Sequence, residues 1–161
     1  MTQEMDQIIE LDFGYLPEAA VSGAVLIETE QSTFLTFNVT QLMADGYHRE
    51  NAGTALVEFP FCIRTQFGHP NDEARWKHPR YSKFETYGIY EVLNSSWIAQ
   101  IRADNRFSFP DVPTWGDMLR HFVFTFHDST FECVAVDIKF EVVNQRYKQT
   151  LARITKRILS E

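Results

Sequence analysis

Through most of its ordered-looking stretches this chain alternates apolar and polar residues at a period of two. The clearest case is 120–136, Arg-His-Phe-Val-Phe-Thr-Phe-His-Asp-Ser-Thr-Phe-Glu-Cys-Val-Ala-Val, where aromatic and β-branched runs flank a polar tetrapeptide. That pattern predicts an antiparallel hairpin. Pairing His127 with Thr130 sets Phe126 opposite Phe131, Phe124 opposite Cys133 and Phe122 opposite Ala135. One face is then wholly apolar, and the other carries His121, Val123, Thr125, His127, Thr130, Glu132, Val134 and Val136. A slip of one residue would mix the faces, which a half-buried sheet does not tolerate.

The same reading places strands at 24–29 and 33–40, joined across Glu30, Gln31 and Ser32, and a long extended run over 54–67. Pro60 cannot donate a ladder hydrogen bond and marks an edge or a bulge in that run. Residues 87–93 return to strand, and 137–143 extend the hairpin. Asn94, Ser95 and Ser96 supply N-caps for a short helix near 95–105, with Trp97, Ile98 and Ile101 inward. Tyr147, Leu151, Ile154 and Ile158 form one helical stripe near 145–160. Residues 68–86 show no periodicity, and a connection of that length is often functional. The fold expected is α+β: a single domain over 1–161, mainly an antiparallel sheet of about six to seven strands, with helices covering one face.

Composition adds limits. An apolar fraction of 44% with 14 phenylalanines is enough for a real core and excludes a disordered chain. Cys62 and Cys133, both in apolar runs, read as buried thiols in a reducing compartment. The amino-terminal residues have neither a basic nor an apolar leader pattern, and no run of 18 apolar residues occurs, so a cytoplasmic protein with no membrane span is expected. The net charge of −7 is uneven: residues 1–60 carry ten carboxylates against Arg49, whereas Arg146, Lys148, Arg153, Lys156 and Arg157 oppose only Glu161. Front and tail are expected to attract one another, within the fold or across a homo-oligomer. The acidic balance argues against nucleic acid as a partner.

Candidate chemistry follows from the hairpin's polar face. In the register above Thr125 lies opposite Glu132, and His127 is its diagonal neighbour, about 7–8 Å away between Cβ atoms. A histidine beside a carboxylate can serve as a general base, so His127, Glu132 and the adjoining Asp128 are the catalytic candidates. The competing reading is a cross-strand pair on a solvated face, with Asp128 and Ser129 forming a turn. Cys133 falls on the phenylalanine face, where a thiol has little thiolate character.

The 68–86 segment offers two more sets. His69, Glu73 and His78 are metal-ligand types, but their spacing matches no zinc pattern; a divalent metal is the one cofactor they would admit, and none is otherwise implied. Arg75, Trp76, Arg80 and Tyr81 mix aromatic and cationic side chains, as suits stacking on a planar ligand or anchoring a protein. With only 7 glycines and no phosphate loop, nucleophile elbow or Cys-Xaa-Xaa-Cys pair, no reaction is named. The expectation is a small binding module that recognises a small molecule or a protein through this loop. The alternative is a small hydrolase-like or acid–base enzyme using His127 and Glu132.

Overall fold

In the computed structural model, which describes residues 5–20, 23–84 and 87–160, the alternating segments become ten strands among the described residues. In chain order the elements are β1 (Gln7–Glu10), β2 (Leu16–Pro17), β3 (Val25–Glu28), β4 (Thr33–Leu42), β5 (Arg49–Glu58), β6 (Arg64–Gly68), α1 (Asp72–Arg75), β7 (Ile89–Leu93), α2 (Ser96–Arg106), β8 (Arg120–Thr125), β9 (Thr130–Ala135), β10 (Lys139–Val143) and α3 (Tyr147–Ile158). The fold is α+β and its strand pairings are antiparallel, with helices where Ser95 and the apolar C-terminal stripe predicted them.

The single sheet of six to seven strands is instead two sheets face to face. The first runs β1-β7-β8-β9-β6; the second runs β10-β5-β4, with β2 and β3 both paired to β4. The division occurs at Pro60. β5 ends at Glu58, the Phe59 N–H still donates to the Thr33 carbonyl at 3.0 Å, and Pro60 then has no N–H to continue the ladder. The chain crosses to the other sheet, where Ile63 N–H donates to Val134 O at 2.8 Å and β6 pairs with β9. The run over 54–67 is thus two strands in two sheets.

The phenylalanine face of the hairpin is the floor of the core between the sheets. Phe122, Phe124, Phe126, Phe131, Cys133 and Ala135 meet Leu35, Phe37 and Val39 of β4, Ala55 and Val57 of β5, and Phe59. Phe37 reaches Phe126 with ring centroids 5.0 Å apart, and Phe59 reaches Phe131 at 5.4 Å. Each buried phenylalanine contributes roughly 1.5–3 kcal/mol, so these rings dominate the stability of the fold. Cys133 lies in this core, its thiol pushed well up by burial, and the half-buried Cys62 beside it is held lower by a hydrogen bond with it. Both thiols are free.

The face assignment holds but the register differs by two residues. Thr125 pairs with Thr130, Phe124 with Phe131, Val123 with Glu132 and Phe122 with Cys133. Asp128-Ser129 has neither the glycine nor the asparagine that a tight two-residue turn favours. The hairpin closes instead through a four-residue loop in which Phe126 N–H donates to Ser129 O at 2.9 Å. The second face is not solvated either. Residues 69–84 and α2 lie over it, burying Val123, Tyr90, Val92, Tyr81 and Phe84 as a second cluster.

On the far side, α3 covers the second sheet through Ile154 against Phe34 and Leu56, and the Thr150 and Thr54 hydroxyls hydrogen-bond beneath it. Arg153 and Arg157 pair with Glu141, outside the acidic front, and Arg157 also lies 3.9 Å from Glu58 of the front, a tail-to-front contact within one chain. Gly53 sits at the β4–β5 bulge with φ of 106°, where a Cβ would lie 2.3 Å from the Val143 carbonyl oxygen; only glycine fits there.

Candidate functional site

The outer face of the first sheet brings together two deeply buried ionisable groups, His121 and Glu132. Since Val123 is opposite Glu132, the diagonal neighbours of Glu132 on β8 are Thr125 and His121. His121 Nε2 lies 3.1 Å from Glu132 Oε2, with the two residues 3% and 1% exposed. Tyr81 OH donates to Glu132 Oε1 at 2.6 Å and an Arg80 N–H donates to Oε2 at 3.0 Å. Burial pushes the Glu132 carboxyl up, but the hydrogen bonds from His121 and Tyr81 and the charge of Arg80 outweigh it and hold the group below its ordinary range. Tyr81, buried and donating to a carboxylate, is pushed up.

The opposite side of the imidazole is also held. Ser95 caps α2, its Oγ accepting the Ile98 N–H at 3.1 Å, and the same oxygen is 2.8 Å from His121 Nδ1. An ionised Glu132 can only accept, which places a proton on Nε2; in the neutral ring Nδ1 then accepts from the Ser95 hydroxyl. Trp97 sets its ring edge-on to His121 at 5.2 Å, and the Arg80 guanidinium lies 5.6 Å from the Trp97 ring centre and 5.7 Å from that of Tyr81.

Over this network is a cavity of about 280 Å³. His121 and Glu132 form its floor, Ile8, Val92 and Phe84 are apolar walls, and Asp6, Arg80 and Lys83 are the remaining charged groups around it. Asp6 is itself anchored, accepting from Ser96 N–H at 2.8 Å and Ser96 Oγ at 2.7 Å at the start of α2.

His127 belongs to a different cluster. Its Nδ1 is 2.8 Å from Asp72 Oδ2, which also accepts from Tyr87 OH at 2.5 Å, and Asp72 N–H donates to the His127 carbonyl at 2.9 Å. Asn71 caps α1 by accepting from Ala74 N–H at 3.0 Å, and the buried Arg75 donates to Phe126 O at 3.2 Å. The hairpin loop is thereby clasped to α1. The hydrogen bond from Tyr87, then that with His127, lowers the Asp72 carboxyl, and the Asp72 bond raises the half-exposed His127.

The residues singled out from sequence are therefore distributed as follows. Glu132 and His127 have separate partners, and Thr125 Oγ1 accepts from Gly88 N–H at 2.9 Å. Asp128 is exposed beside the clasp. Of the aromatic-loop set, Arg75 and Tyr81 are buried supports, Arg80 reaches the cavity, and Trp76 is 69% exposed. His69 and Glu73 are exposed, while His78 packs on the Tyr81 ring at 4.7 Å. Among the described residues no group of three or more His, Cys, Asp or Glu is placed to hold a metal ion. Glu85 and Thr86, the end of the 68–86 segment, lie outside the described residues.

His121, Ser95 and Asp6 were not reached from sequence as site residues. The two-residue register change is the reason for His121, because it exchanges His127 for His121 as the diagonal neighbour of Glu132. No helix among the described residues is long and apolar enough to cross a membrane. Comparison with known protein families, curated proteins and solved structures finds no match to this chain.

Proposed function

We propose that the chain is a small-molecule-binding module whose site is the cavity above the His121–Glu132 pair. One observation carries this reading: the His121–Glu132 pair, buried nearly to exclusion of water and hydrogen-bonded to Ser95, Tyr81 and Arg80, forms the floor of a cavity with apolar walls. Buried charge is costly and persists only where every partner is in place. Its coincidence with a concave apolar surface is the usual anatomy of a ligand site. At about 280 Å³ the cavity is at the small end for such sites, which favours a compact ligand. Residues 79–84 supply much of the cavity, so the aromatic loop recognises its ligand with Arg80 and Phe84 rather than with Trp76. No second copy is required.

Binding is preferred over proton chemistry here because both His121 nitrogens are already engaged, leaving none to exchange a proton with a bound molecule. A fragment titration of isotopically labelled protein tests the reading. Ligands should shift the Ile8 and Val92 methyl and His121 ring resonances first. Fragments that bind only elsewhere would sink it.

A second reading rests on His127. Its Nδ1 is oriented by Asp72, and its Nε2 makes no hydrogen bond among the described residues, the arrangement of a general base. Protein-dependent hydrolysis of activated esters, lost in His127→Gln, would establish it. Hydrolysis unchanged in that variant would remove it.

A further inference from the structure

We infer that the ligand of the cavity is a small organic anion, a monocarboxylate with a compact apolar body, gripped by Arg80 and Lys83. The inference rests on the cavity being the binding site and specifies what it takes. It follows from which hydrogen-bonding groups around the cavity are already engaged. Glu132 receives three donors, from Tyr81, Arg80 and His121. Asp6 receives the backbone and hydroxyl donors of Ser96. Both ring nitrogens of His121 are engaged.

What is left is donor capacity. The Arg80 guanidinium carries five N–H groups and gives one to Glu132. Lys83 lines the cavity and makes no ion pair among the described residues. Glu132 is thus paired with Arg80, and the Asp6 carboxylate keeps its charge but has both oxygens occupied by Ser96, while the positive charge of Lys83 and the free edge of Arg80 are presented to whatever enters. A planar carboxylate suits the guanidinium fork, and Lys83 adds a second charge to the same oxygens. Ile8, Val92 and Phe84 then bury the apolar body, and the modest volume keeps that body near the size of a single ring.

Three probes of one shape and different charge decide it: benzoate, benzamide and benzylamine, each titrated into the labelled full chain. Benzoate should shift the Ile8, Val92 and His121 resonances, and the amide and amine should not. Lys83→Gln, a change at an exposed position, should weaken benzoate binding about tenfold or more, and Lys83→Arg should restore most of it. If benzamide or benzylamine binds the cavity as well as benzoate, the anion inference is overturned while the cavity remains the site. Benzoate binding undiminished in Lys83→Gln overturns it too. If none of the three shifts cavity resonances, the inference fails. The cavity reading fails with it only if a wider fragment set also leaves those resonances unmoved.

Discussion

Two histidines, six residues apart on one hairpin, sit in environments that could hardly differ more. His121 is enclosed between Ser95, Trp97 and Glu132 with both nitrogens engaged. His127 is half-exposed, held by one bond to Asp72 at the loop that ties β8 to α1. Each has a carboxylate partner, and the first lines the cavity of about 280 Å³ whereas His127 is not among that cavity's lining residues. A His–carboxylate pair is therefore no evidence of a site by itself; what surrounds the pair decides whether it braces the fold or faces a ligand.

The largest expected effect breaks the buried member of the comparison. Glu132→Ala leaves Arg80, Tyr81 and His121 without their shared acceptor, and should cost about 3–5 kcal/mol by denaturant unfolding. The matching change at the clasp, Asp72→Ala, should leave the global midpoint little changed and instead speed amide exchange in 71–76. Equal global losses for both would erase the distinction. Ser95→Ala should be intermediate, about 0.5–2 kcal/mol, because it removes the α2 cap along with a partner of His121. If the loss were no larger than for Ser96→Ala, the Ser95 bridge would carry no weight.

The smallest effect is the pH response, and it separates the two clusters by direction. Glu132 is a stronger acid in the fold than its ordinary value of 4.5, so its contribution is present above that pH and is lost as pH falls through the folded value. His127 binds its proton more tightly in the fold than at its ordinary 6.5; its contribution is complete below that pH and is lost as pH rises through the folded value. Exchange protection in 71–76 should thus loosen on the alkaline side in the native chain and lose that dependence in His127→Gln. The Glu132 contribution should be lost only in acid. Alkaline loosening that persists in His127→Gln would assign it to another group.

Much of this arrangement was legible in the residues, and the gaps have identifiable causes. The period of two assigned Phe122, Phe124, Phe126, Phe131 and Cys133 to one face, and Ser95 announced the start of α2. Register was not legible to the same degree, because a shift of two residues preserves both faces and only turn chemistry resists it. That shift alone moved the partnership of Glu132 from His127 to His121. The cover over the outer face was hidden for another reason: Tyr81 and Phe84 come from a stretch without periodicity, and Asp6 from the far end of the chain. The second sheet was concealed by continuity of apolar residues across Pro60, where the strand ends but the hydrophobic pattern does not.

Double-mutant cycles test the pairing of Glu132 directly. Cycles of Glu132→Gln with His121→Gln and of Glu132→Gln with His127→Gln, read by denaturant unfolding, give the two coupling energies. Coupling of about 0.5–3 kcal/mol for His121 and additivity within about 0.5 kcal/mol for His127 is the predicted result. Additivity for His121 together with coupling for His127 would contradict the register, the network and the site built on them.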